Sequence, residues 1–338
     1  MKKVLIVGPD FFGYNDSVKR GFEKLGYETK VYSYFDGYHG LKNKIICSLL
    51  GKIGVNYFKR KYDDRINYKI LIEVEQYLPN YVLFIKPEKI SNKTLEEIKV
   101  PKILWMMDSL FRYDKIIDNI KYYDLKYMFE ENDVIRLVEM GVKSTFLPLA
   151  YDDEVYHPIN KIEKDIDILF IGSLYPKRIE LLENIINQFP SLNIEIYGKY
   201  TNIKQPNTYL KYFFSKYKKY FKNRNVIPRE VNQLYARSKI CLNMHHSQSN
   251  KGCNPRFFEI AANGAFQLVD NNQFIVEKYG EYVEYFSSIE ELNQLIRKYI
   301  KEEELRISKQ KDNQFITMNN SFAERVKVIH QHLQVGGS

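Results

Sequence analysis

Cysteine is scarce in this sequence, with only Cys47, Cys241 and Cys253 spread through 338 residues. No two of them stand at metal-ligand spacing, so a zinc cluster and a disulfide framework are both excluded, and each is expected as a reduced thiol in a core or loop. Long apolar runs are missing too. Without a stretch of about 18 apolar residues there is no candidate for a spanning helix. Val4-Leu5-Ile6-Val7 after Met1-Lys2-Lys3 is too short for a signal peptide and reads as a first strand. The expected location is the cytoplasm, with peripheral contact at the inner face of the membrane as its limit. Short-period repeats and low-complexity segments are also lacking, which excludes a solenoid.

What is present points to an ordered, two-domain chain. The 44% apolar content and 338 residues suffice for two cores, and 28 Tyr with 21 Phe argue against disorder. A formal charge of +9 favours anionic partners: nucleotide diphosphates, anionic headgroups, acidic glycans or nucleic acid. Gly336-Gly337-Ser338 has the composition of a flexible tail.

Short runs rich in Val, Ile, Phe and Tyr recur at 3–8, 28–34, 81–86, 102–107, 126–130 and 144–149, separated by helical patterns. That alternation predicts βαβ units on a parallel sheet. Gly8 ends the first strand, Asn15 or Asp16 caps a helix over about 17–25, and Gly26 closes it. The polar stretch Tyr151 to Asn160 reads as a linker. A second series follows, with strands at 166–171, 193–197, 239–244, 265–269 and 282–286 and helices over 176–188, 229–237, 256–262 and 289–302. The fold class is therefore α/β with two Rossmann-like, doubly wound domains, over 1–155 and 160–305. A final segment, 306–335, carries Phe322, Val326, Ile329 and Leu333 at helical spacing and is expected to cross back to the first domain. Ligands of such sheets bind beyond the carboxyl ends of strands, so the loops after 8, 108, 171, 198, 245 and 270 are where chemistry is expected.

The most informative segment runs Asn254-Pro255-Arg256-Phe257-Phe258-Glu259-Ile260-Ala261-Ala262-Asn263-Gly264-Ala265. It resembles the C-terminal segment of group-1 GT-B glycosyltransferases, particularly the CgeB-like, spore maturation protein-like family. The resemblance implies two domains facing across a cleft, with a nucleoside diphosphate sugar, UDP-sugar first, on the C-terminal one. Carried over by motif, Glu259 accepts from the ribose hydroxyls, Arg256 meets the diphosphate and Asn254 lines the same helix start. A carboxylate suits vicinal hydroxyls, and a guanidinium near a helix N-terminus suits an anion. Taken singly, Glu259 also fits a first-turn residue complementing the helix dipole, and Arg256 a solvated neighbour.

Leu169-Phe170-Ile171-Gly172-Ser173-Leu174-Tyr175-Pro176-Lys177-Arg178 looks like the family's first strand, loop and helix of the donor domain. Gly172 and Ser173 would let backbone N–H groups approach a phosphate, and Lys177 or Arg178 would neutralise the leaving group, one of the pair facing away. A solvated helix face fits the same two cations. In Asn243 to Cys253, His245 and His246 are candidates for contact with sugar or phosphate, His246 also as a catalytic group, and equally fit satisfied strand-end residues. Many retaining relatives carry two glutamates eight positions apart, with Glu259 the second; position 251 is Lys here, which breaks the pattern. On the first domain Asp108, and secondly Asp10, are candidate bases for the acceptor hydroxyl; Asp108 also fits a helix N-cap. Phe12 and Gly13 complete the acceptor-side loop.

No metal site and no cofactor are expected. Asp165-Ile166-Asp167 imitates the Asp-x-Asp of metal-dependent GT-A enzymes but opens a strand, opposite the ligand end. Two basic, aromatic stretches, Lys42 to Lys61 and Tyr209 to Arg224, suit either an anionic membrane, a lipid-linked or acidic acceptor, or a solvated face with its aromatics in a core. The expected partners are the sugar nucleotide and a glycan, lipid-linked or protein acceptor. A sugar-nucleotide epimerase of the same architecture is the enzymatic alternative, and a basic nucleic-acid-binding protein, not favoured, the non-enzymatic one.

Overall fold

A computed structural model of the chain describes residues 1–9, 12–34, 57–201, 207–245 and 250–335. Asp10, His246 and the basic residues from Lys42 to Lys52 lie outside these residues. The chain divides into two units, Met1–Leu149 with Phe322–Ser338, and Ala150–Ser321.

The first unit is built on parallel strands β1 (Lys3–Pro9), β2 (Glu28–Tyr34), β3 (Tyr81–Ile85), β4 (Lys102–Met106), β5 (Leu125–Met128) and β6 (Thr145–Phe146), in the order β2-β1-β3-β4-β5-β6. Val4, Leu5, Ile6 and Val7 are all fully buried although their side chains point alternately to opposite faces. Both faces must therefore be covered, as parallel sheets require, and each such side chain contributes about 1.5–3 kcal/mol of burial. The first helix, Tyr14–Lys24, begins earlier than its sequence suggests. Gly13, at φ 75°, occupies the N-cap, and its carbonyl accepts from the backbone N–H groups of Asp16 and Ser17. Asn15 is consequently inside the helix, with its amide donating to the Pro9 carbonyl and to Ser33 Oγ. After β4 the chain forms 3-10 turns at Leu110–Arg112 and Ile120–Tyr122 on either side of the short helix Asp114–Asp118.

The helix Phe322–Val335 completes this unit. Phe322, Val326, Ile329 and Leu333 are buried, and Arg325 Nε donates to the Pro148 carbonyl at 2.9 Å. A Cβ on Gly21 would stand 2.8 Å from Val326 Cγ2, so the glycine permits the close approach of two helices. The hydroxyls of Tyr27 and Tyr127 hydrogen-bond to Nδ1 of His330 and His332 at 2.8 and 2.7 Å.

The second unit carries β7 (Ile166–Ile171), β8 (Ile194–Tyr197), β9 (Ser238–Asn243), β10 (Gln267–Asp270) and β11 (Glu284–Phe286), in the order β11-β10-β9-β7-β8, all parallel. Pro176 and Pro228 open the helices Pro176–Gln188 and Pro228–Arg237, where a missing N–H costs nothing. The break toward the last helix falls after Ser321, not near 305. Two side chains explain this: buried Arg306 donates to the Tyr299 carbonyl, and Asn313 to that of Ala265 at 2.9 Å, tying 303–317 to the second unit. Asp165 pairs with Arg237 and Asp167 with Lys239, so the Asp-x-Asp sequence is structural.

Candidate active site

In the second unit β7 is flanked by β8 on one side and β9 on the other, so the sheet changes winding direction at its centre. The loops leaving β7 and β9 there diverge and open a crevice in folds of this kind. Arg178 spans it. Its Nη1 donates to the Ser173 carbonyl at 3.0 Å and its Nη2 to the Met244 carbonyl at 2.8 Å. Burial lowers the guanidinium from its ordinary value, with Asp270 opposing the shift, yet an arginine stays charged. Lys177, by contrast, is exposed.

On the other side of β7, Gly198 has φ 151°, and a Cβ there would lie 2.1 Å from the Gly172 carbonyl oxygen. Only glycine fits, and the two loop backbones run against each other. Gly172 itself has no room for a Cβ beside the Phe170 ring, at 2.9 Å. Gly198 was not among the sequence-based site residues, although the loop after 198 was one where chemistry was expected; the signal available was a glycine directly after a strand.

The helix Pro255–Asn263 starts beside the end of β9. Asn254 is its N-cap, accepting from the Phe257 N–H at 3.3 Å and donating to Asn243 Oδ1 at 2.9 Å. Gly264, at φ 80°, closes it. Arg256 and Glu259, three residues apart, share one helix face. Glu259 is the fifth helical residue, outside the first turn, so complementing the helix dipole does not account for it. It is also only 4% exposed, and a carboxylate so buried requires compensating donors.

His245 follows β9 and is gripped by Asp270 at the end of β10. The carboxylate accepts the His245 backbone N–H at 2.7 Å and meets Nδ1 at 2.6 Å. A proton held on Nδ1 leaves Nε2 as an acceptor in the neutral ring. Among the described residues that Nε2 is buried without a hydrogen-bond partner, as is Asn243 Nδ2. Asp270 and Asn243 were absent from the sequence-based set, because pairing across strands is not visible in linear spacing. The structure thus brings Gly172, Ser173, Arg178, His245, Asn254, Arg256 and Glu259 to one end of the second sheet, with Lys177 on the helix that opens there.

In the first unit the corresponding end carries Phe12, Gly13 and Asp108. Phe12 and Gly13 both have positive φ, 54° and 75°, and Phe12 is exposed. Asp108 does not cap a helix. Its carboxylate accepts from Arg112 Nη1 at 2.8 and 2.9 Å, from Tyr113 Oη at 2.6 Å and from the Ser109 N–H at 3.1 Å, with Lys86 Nζ at 3.6 Å. Both oxygens are committed, which argues against a free base in this arrangement. Burial lowers Lys86, but Glu88 at 3.0 Å and Asp108 outweigh it, so the ammonium is held above its ordinary value. Burial, then the bond to Asp108, raises the Tyr113 phenol. Lys86 also adopts φ 46°, a left-handed conformation that costs a lysine about 1–2 kcal/mol. Among the described residues, no group of three or more His, Cys, Asp or Glu is arranged to hold a metal.

Residues 177–331 match a family model described as glycosyl transferase-like. A comparison with curated proteins finds no match. Among solved structures, sucrose-phosphate synthase from Thermosynechococcus elongatus is similar at a TM-score of 0.71 and 8% identity, over 99% of this chain and 100% of that one. The α,α-trehalose 6-phosphate synthase from Burkholderia multivorans is similar at 0.68 and 10% identity, over 100% of both chains. HepE of Anabaena, solved with UDP-glucose, is similar at 0.68 and 10%, over 99% of this chain and 100% of that one. The fold shared along the whole chain is that of these GT-B structures, and together with the family match over residues 177–331 it supports a glycosyltransferase.

Proposed function

We propose that the protein transfers a glycosyl group from a nucleoside diphosphate sugar to a hydroxyl of a glycan, lipid-linked or protein acceptor, and that Ala150–Ser321 is the donor unit. The observation that carries this reading is the convergence of Arg256, Glu259 and the Asn254-capped helix start with the Gly172–Gly198 backbone approach, at the winding change of one sheet. A helix N-terminus and a glycine loop suit a diphosphate. A buried carboxylate one turn further in suits a pair of ribose hydroxyls. UDP is the first nucleotide to test, since HepE was solved with UDP-glucose.

In this reading Glu259 takes the ribose and Arg256 the diphosphate, with Gly172, Ser173 and Lys177 beside it. Arg178 keeps the β7 and β9 loops at a fixed separation, and His245 Nε2 accepts from a donor hydroxyl. Negative charge grows on the leaving diphosphate as the glycosidic bond breaks, and Arg256 with Lys177 stabilises it without a metal. Phe12, Gly13, Asp10 and Asp108 stand on the acceptor side. Asp108 acts as base only if acceptor binding releases one of its donors; otherwise Asp10 or His246 takes the proton. The Arg256 to Gly264 segment supports the CgeB-like subfamily.

Calorimetry with UDP, GDP and ADP and their sugars tests the donor. Because Glu259 is buried, Glu259→Gln, which keeps the volume, is the informative substitution. Losing charge-assisted bonds to two hydroxyls is expected to weaken binding on the order of a hundredfold. Unchanged affinity removes Glu259 from the site. Arg256→Ala is expected to lower turnover more than donor affinity, since its interaction strengthens in the transition state; equal losses contradict that role. Undiminished turnover in EDTA is expected from the metal-free reading. An epimerase of this fold, as a similar structure described as a putative UDP-N-acetylglucosamine 2-epimerase from Listeria monocytogenes suggests, would isomerise the donor sugar without any acceptor.

A further inference from the structure

The helix Asn207–Phe214 presents its apolar side outward. Tyr209, Leu210, Phe213 and Phe214 are 39%, 63%, 59% and 86% exposed, and at 100° per residue they fall within an arc of about 140°. None of the helix's residues is fully buried. It is anchored from its other side by Tyr212, whose ring packs 5.6 Å from that of buried Tyr200 and whose hydroxyl donates to the Phe221 carbonyl at 3.3 Å. A surface helix ordinarily turns its apolar stripe to the core. This one does the reverse, and an exposed apolar cluster rimmed by polar residues marks a contact site.

The rim has a single sign. Residues 196–229 contain nine Lys and Arg and no Asp or Glu, and Lys211, Lys216, Lys218 and Lys219 are exposed around the helix. Lys218 Nζ sits 4.7 Å from the centre of the Phe213 ring, so charge and apolar surface are interleaved. A second copy of the chain would bring like charges together. A single-stranded nucleic acid would stack on the rings and leave Leu210 unused. An anionic bilayer uses both features, its headgroups meeting the lysines and its acyl boundary the Leu and Phe side chains.

We propose that the surface formed by 207–219 docks the protein on an anionic membrane. The inference stands apart from the donor-site reading, because it uses none of those residues. Flotation of the full chain with vesicles of phosphatidylcholine, alone or with one third phosphatidylglycerol, tests it. The protein is expected to float with the anionic vesicles only, and less as salt rises. Lys216→Gln/Lys218→Gln/Lys219→Gln is expected to lower partitioning about a hundredfold, and Leu210→Ser/Phe214→Ser at least about tenfold. Both variants should keep the wild-type melting temperature and nucleotide affinity. If the apolar pair unfolds the protein, the lysine variant, which changes only exposed side chains, decides. No flotation with anionic vesicles, equal flotation with neutral ones, or undiminished binding by the lysine variant overturns the proposal. Retention on single-stranded DNA without vesicle binding also overturns it, and assigns the surface to nucleic acid.

Discussion

A residue's chemistry here is decided by what its neighbours leave available. Cys241 is 1% exposed at the centre of the second sheet, and burial pushes its thiol up to about 12. At pH 8 the reactive thiolate is then roughly one part in ten thousand. Native alkylation followed by peptide mass spectrometry should leave Cys241 unmodified, and rapid labelling would show that its strand opens readily. Residue type and the family resemblance singled out Arg256, Glu259, Gly172 and the Lys177–Arg178 pair as candidates. They could not divide the pair, because which cation reaches the Met244 carbonyl depends on a contact between residues 66 positions apart. Nor could they show that Asp108 is held by Arg112 and Tyr113, since a carboxylate after a strand looks the same whether or not its oxygens are taken.

Elements were more legible than side-chain roles. The helices at 176–188 and 228–237 follow from apolar periodicity and an opening proline, both local properties. The start of Tyr14–Lys24 was less so, because a glycine in a left-handed conformation replaced the side-chain cap that Asn15 and Asp16 suggested. At Pro255–Asn263 the cap is a side chain, and it also holds the end of β9 through Asn243. Asn254→Ala should therefore lose more than an isolated cap, which is worth about 1 kcal/mol, and lower the melting temperature by several degrees. Asn254→Ser, which caps but does not reach Asn243 in the same way, should recover only part. Full recovery by Ser would show that the Asn243 contact contributes nothing, and wild-type stability of the Ala variant would remove the cap from the account.

For the whole molecule, sequence patterning gave two doubly wound units and an apolar stripe on the last helix. The second unit extends past the sequence-based bounds at both ends, taking in 150–159 and 306–321, because Tyr156, Arg306 and Asn313 join it through contacts that carry no periodic signature. A fragment of residues 160–305 lacks those buried side chains. The expected outcome is that Ala150–Ser321 unfolds in one cooperative transition and binds the nucleotide, whereas 160–305 does not fold. Equal melting curves for the two fragments would contradict these bounds.

The helix Phe322–Val335 lies against Tyr14–Lys24, although 297 residues separate the two segments in the chain. During translation the first 149 residues emerge with the seat for Val326 still empty. At 5–20 residues per second the 186 residues from Ala150 to Val335 take roughly 10–40 s to make. The unit that begins first is thus the last to close, and the one made in the middle of the chain is free to fold before it.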